Sequence, residues 1–105
     1  MHIANERSMK STSEILTLLA IYKPKAINNY GFTKLGIFGS VARGEQTEQS
    51  DVDIYYEGKA PSLLTIDRIQ QELQELLGCP VDLVRLRDNM NAALRRRIQQ
   101  EGVYV

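Results

Sequence analysis

Hydrophobic positions along the chain recur with two periods, one helical and one extended. Ile15, Leu18, Leu19 and Tyr22 follow Ser11-Thr12-Ser13-Glu14 at helical spacing, and the latter has the form of a capping box, which predicts a helix over about 12–22. Pro24 is expected to end that helix and to open a second short one closed by Gly31. Residues 34–38 read as a buried strand stopped by Gly39, and 40–44 as a single helical turn. After a polar loop over 45–50, residues 51–56 alternate polar and apolar with period two and predict a second strand. Leu63, Ile66, Ile69, Leu73, Leu76 and Leu77 mark an amphipathic helix ended by Gly78, and 80–86 a third strand. Leu94 and Ile98 mark a last helix reaching about Gly102, followed by an apolar tail, Val103-Tyr104-Val105. Helices alternating with strands point to an α/β (α+β) fold, a small sheet flanked by helices.

A chain of 105 residues suffices for one core, read here as a single domain over 11–105 behind an N-terminal tail, 1–10. Thirteen Lys+Arg balance thirteen Asp+Glu, so no net basic field draws the chain to nucleic acid, and direct nucleic-acid binding is not expected. The dense basic run Arg95-Arg96-Arg97 reads as a solvated helix face. Cys79, the single cysteine, excludes an internal disulfide and a multi-cysteine metal site and reads as a small structural residue. His2, the only histidine, lies in the tail, which argues against Ser/His or Cys/His catalysis. No apolar window approaches the roughly 20 residues that span a bilayer, and the first residues lack the apolar run of a signal peptide. A cytoplasmic protein is expected.

Candidate chemistry concentrates in residues 39–53, GSVARGEQTEQSDVD. In a strand, Asp51 and Asp53 share one face while Val52 and Ile54 share the other. Carboxylates about 7 Å apart repel by roughly 2 kcal/mol at an effective dielectric of about 20, and a divalent cation between them reverses that sign. Oxygen donors without nearby His or Cys favour Mg²⁺ or Mn²⁺ over Zn²⁺. Taken alone, the pair also fits a polar loop entering a half-exposed strand. The upstream turn adds a second signal: Gly39 lets the backbone approach a ligand closely, and Ser40 opens a helical turn whose N–H groups and hydroxyl can hold phosphate. Neither the Gly-Lys-Ser/Thr ending of a P-loop nor the dinucleotide pattern Gly-x-Gly-x-x-Gly is present. Asp82 sits in the third strand between apolar Val81 and Leu83. If the second and third strands are neighbours, Asp51, Asp53 and Asp82 converge and can hold two metals, with Asp82 as general base or second-metal ligand. By itself Asp82 fits a solvated strand edge equally well.

These residues resemble the minimal nucleotidyltransferases of the DNA polymerase β superfamily, whose signature Gly-Ser-x-Ala-Arg-Gly, a short gap, then Ser-Asp-x-Asp stands here as Gly39-Ser40-Val41-Ala42-Arg43-Gly44 and Ser50-Asp51-Val52-Asp53. The similarity continues through Val81-Asp82-Leu83-Val84 and an Arg-rich closing helix, and so covers most of 11–105. It implies a mixed sheet of the polymerase β palm type, a triphosphate gripped by Gly39 and Ser40, and Mg²⁺ bound by Asp51 and Asp53 with Asp82 completing the site. Arg43 either touches a phosphate or braces the loop through a salt bridge; Gly44 reads as a turn requirement. The reaction implied is transfer of AMP from ATP to a hydroxyl with release of pyrophosphate. Single-domain members of the family are associated with a partner toxin of the HEPN ribonuclease type, which implies a toxin tyrosine as acceptor, an antitoxin role and a hetero-oligomer with the toxin. A module that silences the toxin by binding, and transfer to a small molecule, are the alternative readings.

Overall fold

Ser11 opens the first helix: its Oγ accepts from the Glu14 backbone N–H at 3.1 Å, and the Glu14 carboxylate accepts from the Ser11 N–H at 2.7 Å. The structure is a computed structural model that describes residues 10–105; His2 and the rest of 1–9 lie outside the described residues. Lys10, assigned to the tail by sequence, is tied to the domain by a 3.0 Å hydrogen bond from its Nζ to the Leu77 carbonyl.

Helix α1 (Thr12–Tyr30) corrects the expected break at Pro24, which lies inside it. Ile15, Leu19, Tyr22 and Ala26 are buried at spacings of four, three and four, so one apolar stripe continues through the proline. Pro24 and Ala20, the residue whose carbonyl loses its helical partner, are both exposed, so water can satisfy that carbonyl. Gly31, with φ of 72°, closes α1 in the left-handed conformation and turns the chain into β1 (Phe32–Phe38). Next come α2 (Gly39–Arg43), β2 (Val52–Gly58), α3 (Leu63–Leu77), β3 (Val81–Arg85), α4 (Ala92–Glu101) and β4 (Val103–Tyr104).

The sheet is mixed, in the order β3-β2-β1-β4. Strands β1 and β2 are antiparallel, β2 and β3 parallel, and β4 runs antiparallel to β1. The terminal tail is thus a short edge strand, which two residues of local pattern do not disclose. Gly36 makes this pairing possible, since a Cβ there would collide with the backbone of Val103 and Tyr104 and with the Tyr55 ring.

One face of the sheet carries the main core. Residues Leu35, Ile37, Val52, Ile54 and Tyr56 pack there against Leu19 and Ala26 of α1 and Ile69, Leu73 and Leu77 of α3. The opposite face is covered only in part, where Phe38 and Tyr55 pack against Ile98 of α4. That half-covered face is where the acidic residues emerge.

Candidate active site

The register of the sheet builds the site. Phe38 pairs with Asp53 across β1 and β2, and Asp53 pairs with Asp82 across β2 and β3. Paired residues in adjacent strands project to the same side, so Phe38, Asp53 and Asp82 form one row across three strands. The next positions in β2 and β3 confirm the side: Tyr55 and Val84, also paired, lie in the cluster under α4. Val52 and Ile54, with the opposite parity, are fully in the main core. A backbone hydrogen bond from the Val52 N–H to the Pro80 carbonyl, 3.0 Å, pins the start of this register.

Asp51 stands just before β2, exposed, at the end of a polar turn in which Ser50 accepts from the Thr47 N–H at 2.9 Å. Asp53 is half-buried and Asp82 exposed. Burial pushes the Asp53 carboxyl above the usual carboxylate range, helped by the negative charge of Asp82, while Arg97 and Arg43 pull it back. Among the described residues no three His, Cys, Asp or Glu side chains are gathered closely enough to enclose a metal ion. Asp53 and Asp82 lie side by side in register, and Asp51 stands two residues before Asp53, exposed, at the entry to β2. The donors are nonetheless all hard oxygens with no nitrogen or sulfur among them, which suits Mg²⁺.

Gly39 follows Phe38 with φ of 76° and is buried against Asp53; a Cβ at this position would overlap the Asp53 carboxylate. The glycine that the sequence assigned to ligand approach thus also makes room for the central carboxylate. Phe38 occupies the N-cap of α2 and supplies no side-chain cap, and among the described residues the Ser40 hydroxyl makes no hydrogen bond. The turn is anchored from behind: Val41 is buried, Thr12 Oγ1 donates to the Val41 carbonyl at 2.6 Å, and Gly44, with φ of 72°, closes the turn.

Arg43 makes two ion pairs: its Nε meets Glu45 at 2.9 Å and its Nη1 meets Glu101 of α4 at 3.0 Å. The same Glu101 oxygen lies 4.0 Å from Nε of Arg97, whose guanidinium sits 5.7 Å over the Phe38 ring. Arg97, expected on a solvated face, and Glu101, given no role by the sequence, are site-proximal residues. Their signal was present in the spacing, since 97 and 101 each fall three residues after an apolar position of α4, Leu94 and Ile98, at the border of the buried stripe. Arg95, by contrast, pairs with Asp88 at 3.6 Å, outside the acidic row.

The arrangement combines paired carboxylates on neighbouring strands with a glycine turn at the end of β1, the layout of a site for nucleotidyl transfer. The sequence profile of the nucleotidyltransferase domain matches residues 25–105. This chain belongs to the nucleotidyltransferase domain family, as a minimal member of it. It is similar to the protein adenylyltransferase MntA of Thermococcus cleftensis, with 35% identity over 99 residues covering 93% of this chain and 99% of the relative. Among solved structures, a candidate minimal nucleotidyltransferase superposes with a TM-score of 0.70 at 31% identity, covering 91% of this chain and 97% of its own. A toxin–antitoxin crystal structure with AMP-PNP superposes with a TM-score of 0.66 at 26% identity, covering 90% of this chain and 72% of that one. Among the described residues, no helix is long and apolar enough to cross a membrane.

Proposed function

We propose that the chain transfers AMP from ATP to a tyrosine hydroxyl of a partner toxin of the HEPN ribonuclease type, and so acts as that toxin's antitoxin. The observation that carries this reading is the row Phe38, Asp53, Asp82, with the Gly39 turn closed onto its central carboxylate. The name of the Thermococcus relative and the AMP-PNP in the toxin–antitoxin neighbour support the donor and the kind of acceptor.

In the reaction, the acceptor oxygen forms a bond to the α-phosphorus as the bond from that phosphorus to its bridging oxygen breaks. Pyrophosphate leaves with the electron pair. Gly39 and Ser40 hold the triphosphate, the first by offering backbone without a side chain and the second through its unengaged hydroxyl. Arg43, paired with Glu45 and Glu101, keeps the turn in place. Asp82, the more exposed of the registered pair, takes the acceptor's proton on its carboxylate. Mg²⁺ held by Asp51, Asp53 and Asp82 would lower the pKa of the attacking hydroxyl and offset charge on the phosphates. An AMP group on a tyrosine near the toxin's RNase site adds bulk and negative charge, which repels RNA.

Incubating the toxin with this chain, Mg²⁺ and ATP labelled at the α-phosphate tests the reading. Label on the toxin from α-labelled but not γ-labelled ATP is the expected result. Label from γ-labelled ATP would mean phosphoryl transfer, and neutralisation with no label from either would favour silencing by binding.

A further inference from the structure

We propose that Arg97 of α4 is a phosphate-binding residue of this site, taking the β- and γ-phosphate oxygens of the nucleotide and the charge left on departing pyrophosphate. The inference deepens the nucleotidyltransferase reading and rests on it.

Geometry supplies the first argument. Phe38, Asp53 and Asp82 form one row on the face that α4 half covers, and the Arg97 guanidinium lies 5.7 Å over the Phe38 ring. Arg97 therefore stands at the β1 end of a row whose other two members are carboxylates. It stands beside the residue that leads directly into Gly39 and Ser40. Anything bound between the turn and the carboxylates passes within reach of a guanidinium placed over an aromatic ring.

Availability supplies the second. The Arg97 side chain is 51% exposed, and among the described residues the one acidic side chain within 4.0 Å is Glu101, at 4.0 Å and beyond hydrogen-bond length, while Glu101 holds Arg43 at 3.0 Å. Among the described residues the Arg97 side chain makes no hydrogen bond, so its fork of N–H donors is preserved for a ligand. Arg43 is already committed to Glu45 and Glu101.

Charge supplies the third. Asp51, Asp53 and Asp82 repel a triphosphate, and α2, with five residues, is little more than one turn and offers only a weak dipole. A fixed cation beside the Gly39 turn offsets that repulsion. Arg97 is the guanidinium in position to provide it, because Arg95 is drawn off to Asp88.

Binding of MgATP and of AMP to the full chain, measured by calorimetry, tests the proposal with Arg97→Ala, Arg97→Lys and, as a control on the exposed face, Arg96→Ala. Arg97→Ala is expected to weaken MgATP by at least about tenfold and leave AMP unchanged, since AMP lacks the phosphates involved. Arg97→Lys, which keeps the charge if the alanine variant fails to fold, recovers part of the MgATP affinity, and Arg96→Ala matches the original protein. Unchanged MgATP binding in Arg97→Ala, or an equal loss for AMP and MgATP, overturns the assignment. An original protein that binds no MgATP overturns the nucleotidyltransferase reading as well, which separates the two failures.

Discussion

Asp53 on β2 and Asp82 on β3 lie opposite each other in a parallel pair, on the face of the sheet that α4 leaves partly open. Burial and the Asp82 charge together raise the Asp53 carboxyl, so the folded protein holds this charge at a cost. Asp53→Asn removes that cost. In metal-free buffer near neutral pH the variant is expected to melt at a higher temperature than the original, while AMP transfer falls by on the order of a hundredfold or more. A variant with a lower melting temperature would show that Asp53 is needed for folding, and the two measurements together check the assignment.

Gly39 and Gly44 separate strain from collision. Both have positive φ, 76° and 72°, so alanine at either carries a backbone cost of about 1–2 kcal/mol. Only at Gly39 does the new methyl meet Asp53; around Gly44 nothing lies within 4 Å. Both variants are expected to melt several degrees lower, at roughly 4–8 °C per kcal/mol. Transfer is expected to survive in Gly44→Ala and to fall on the order of a hundredfold in Gly39→Ala, where the carboxylate is displaced. Equal activities in the two folded variants would contradict the role given to Gly39.

Glu72 of α3 links the two helices behind the sheet, accepting from Tyr22 at 2.8 Å, from Lys25 at 3.0 Å and from Tyr30 at 3.1 Å. Burial pushes its carboxyl up, but hydrogen bonds from Tyr22, Lys25 and Tyr30 outweigh this and hold it below the usual carboxylate range. A depressed carboxylate stabilises the fold above its unfolded pKa and loses that contribution as pH falls through the folded value. Melting temperature of the original protein is therefore expected to drop more steeply below about pH 4.5 than that of Glu72→Gln. Parallel acid limbs in the two proteins would remove Glu72 from the account.

The parts of this fold that local pattern controls were readable in sequence. Asp51-x-Asp53 and its buried counterparts Val52 and Ile54 follow from strand parity, and the turn at Gly39 from its glycine. The pairing of Asp53 with Asp82 was conditional on two strands being neighbours, a non-local fact that the parallel register supplies. Pro24 misled because the rule against proline in a helix is local, whereas the stripe Ile15, Leu19, Tyr22, Ala26 is buried by the whole sheet and its solvent side tolerates a lost hydrogen bond. Strand β4 escaped because its two residues become a strand only through Gly36 on a distant element. Arg97 escaped for the same reason: its neighbour Phe38 is contributed by another strand.

The central claim is that the acidic row performs nucleotidyl transfer to a protein. Intact-mass spectrometry of a HEPN-type toxin that forms a complex with this chain, after incubation with the chain, ATP and Mg²⁺, tests it most directly, with the Asp51→Asn/Asp53→Asn double variant as control. The account predicts that the toxin gains the mass of one or more AMP groups with the original protein and none with the variant. A toxin that is bound and inhibited yet unchanged in mass, or inhibited equally by the double variant, would contradict it.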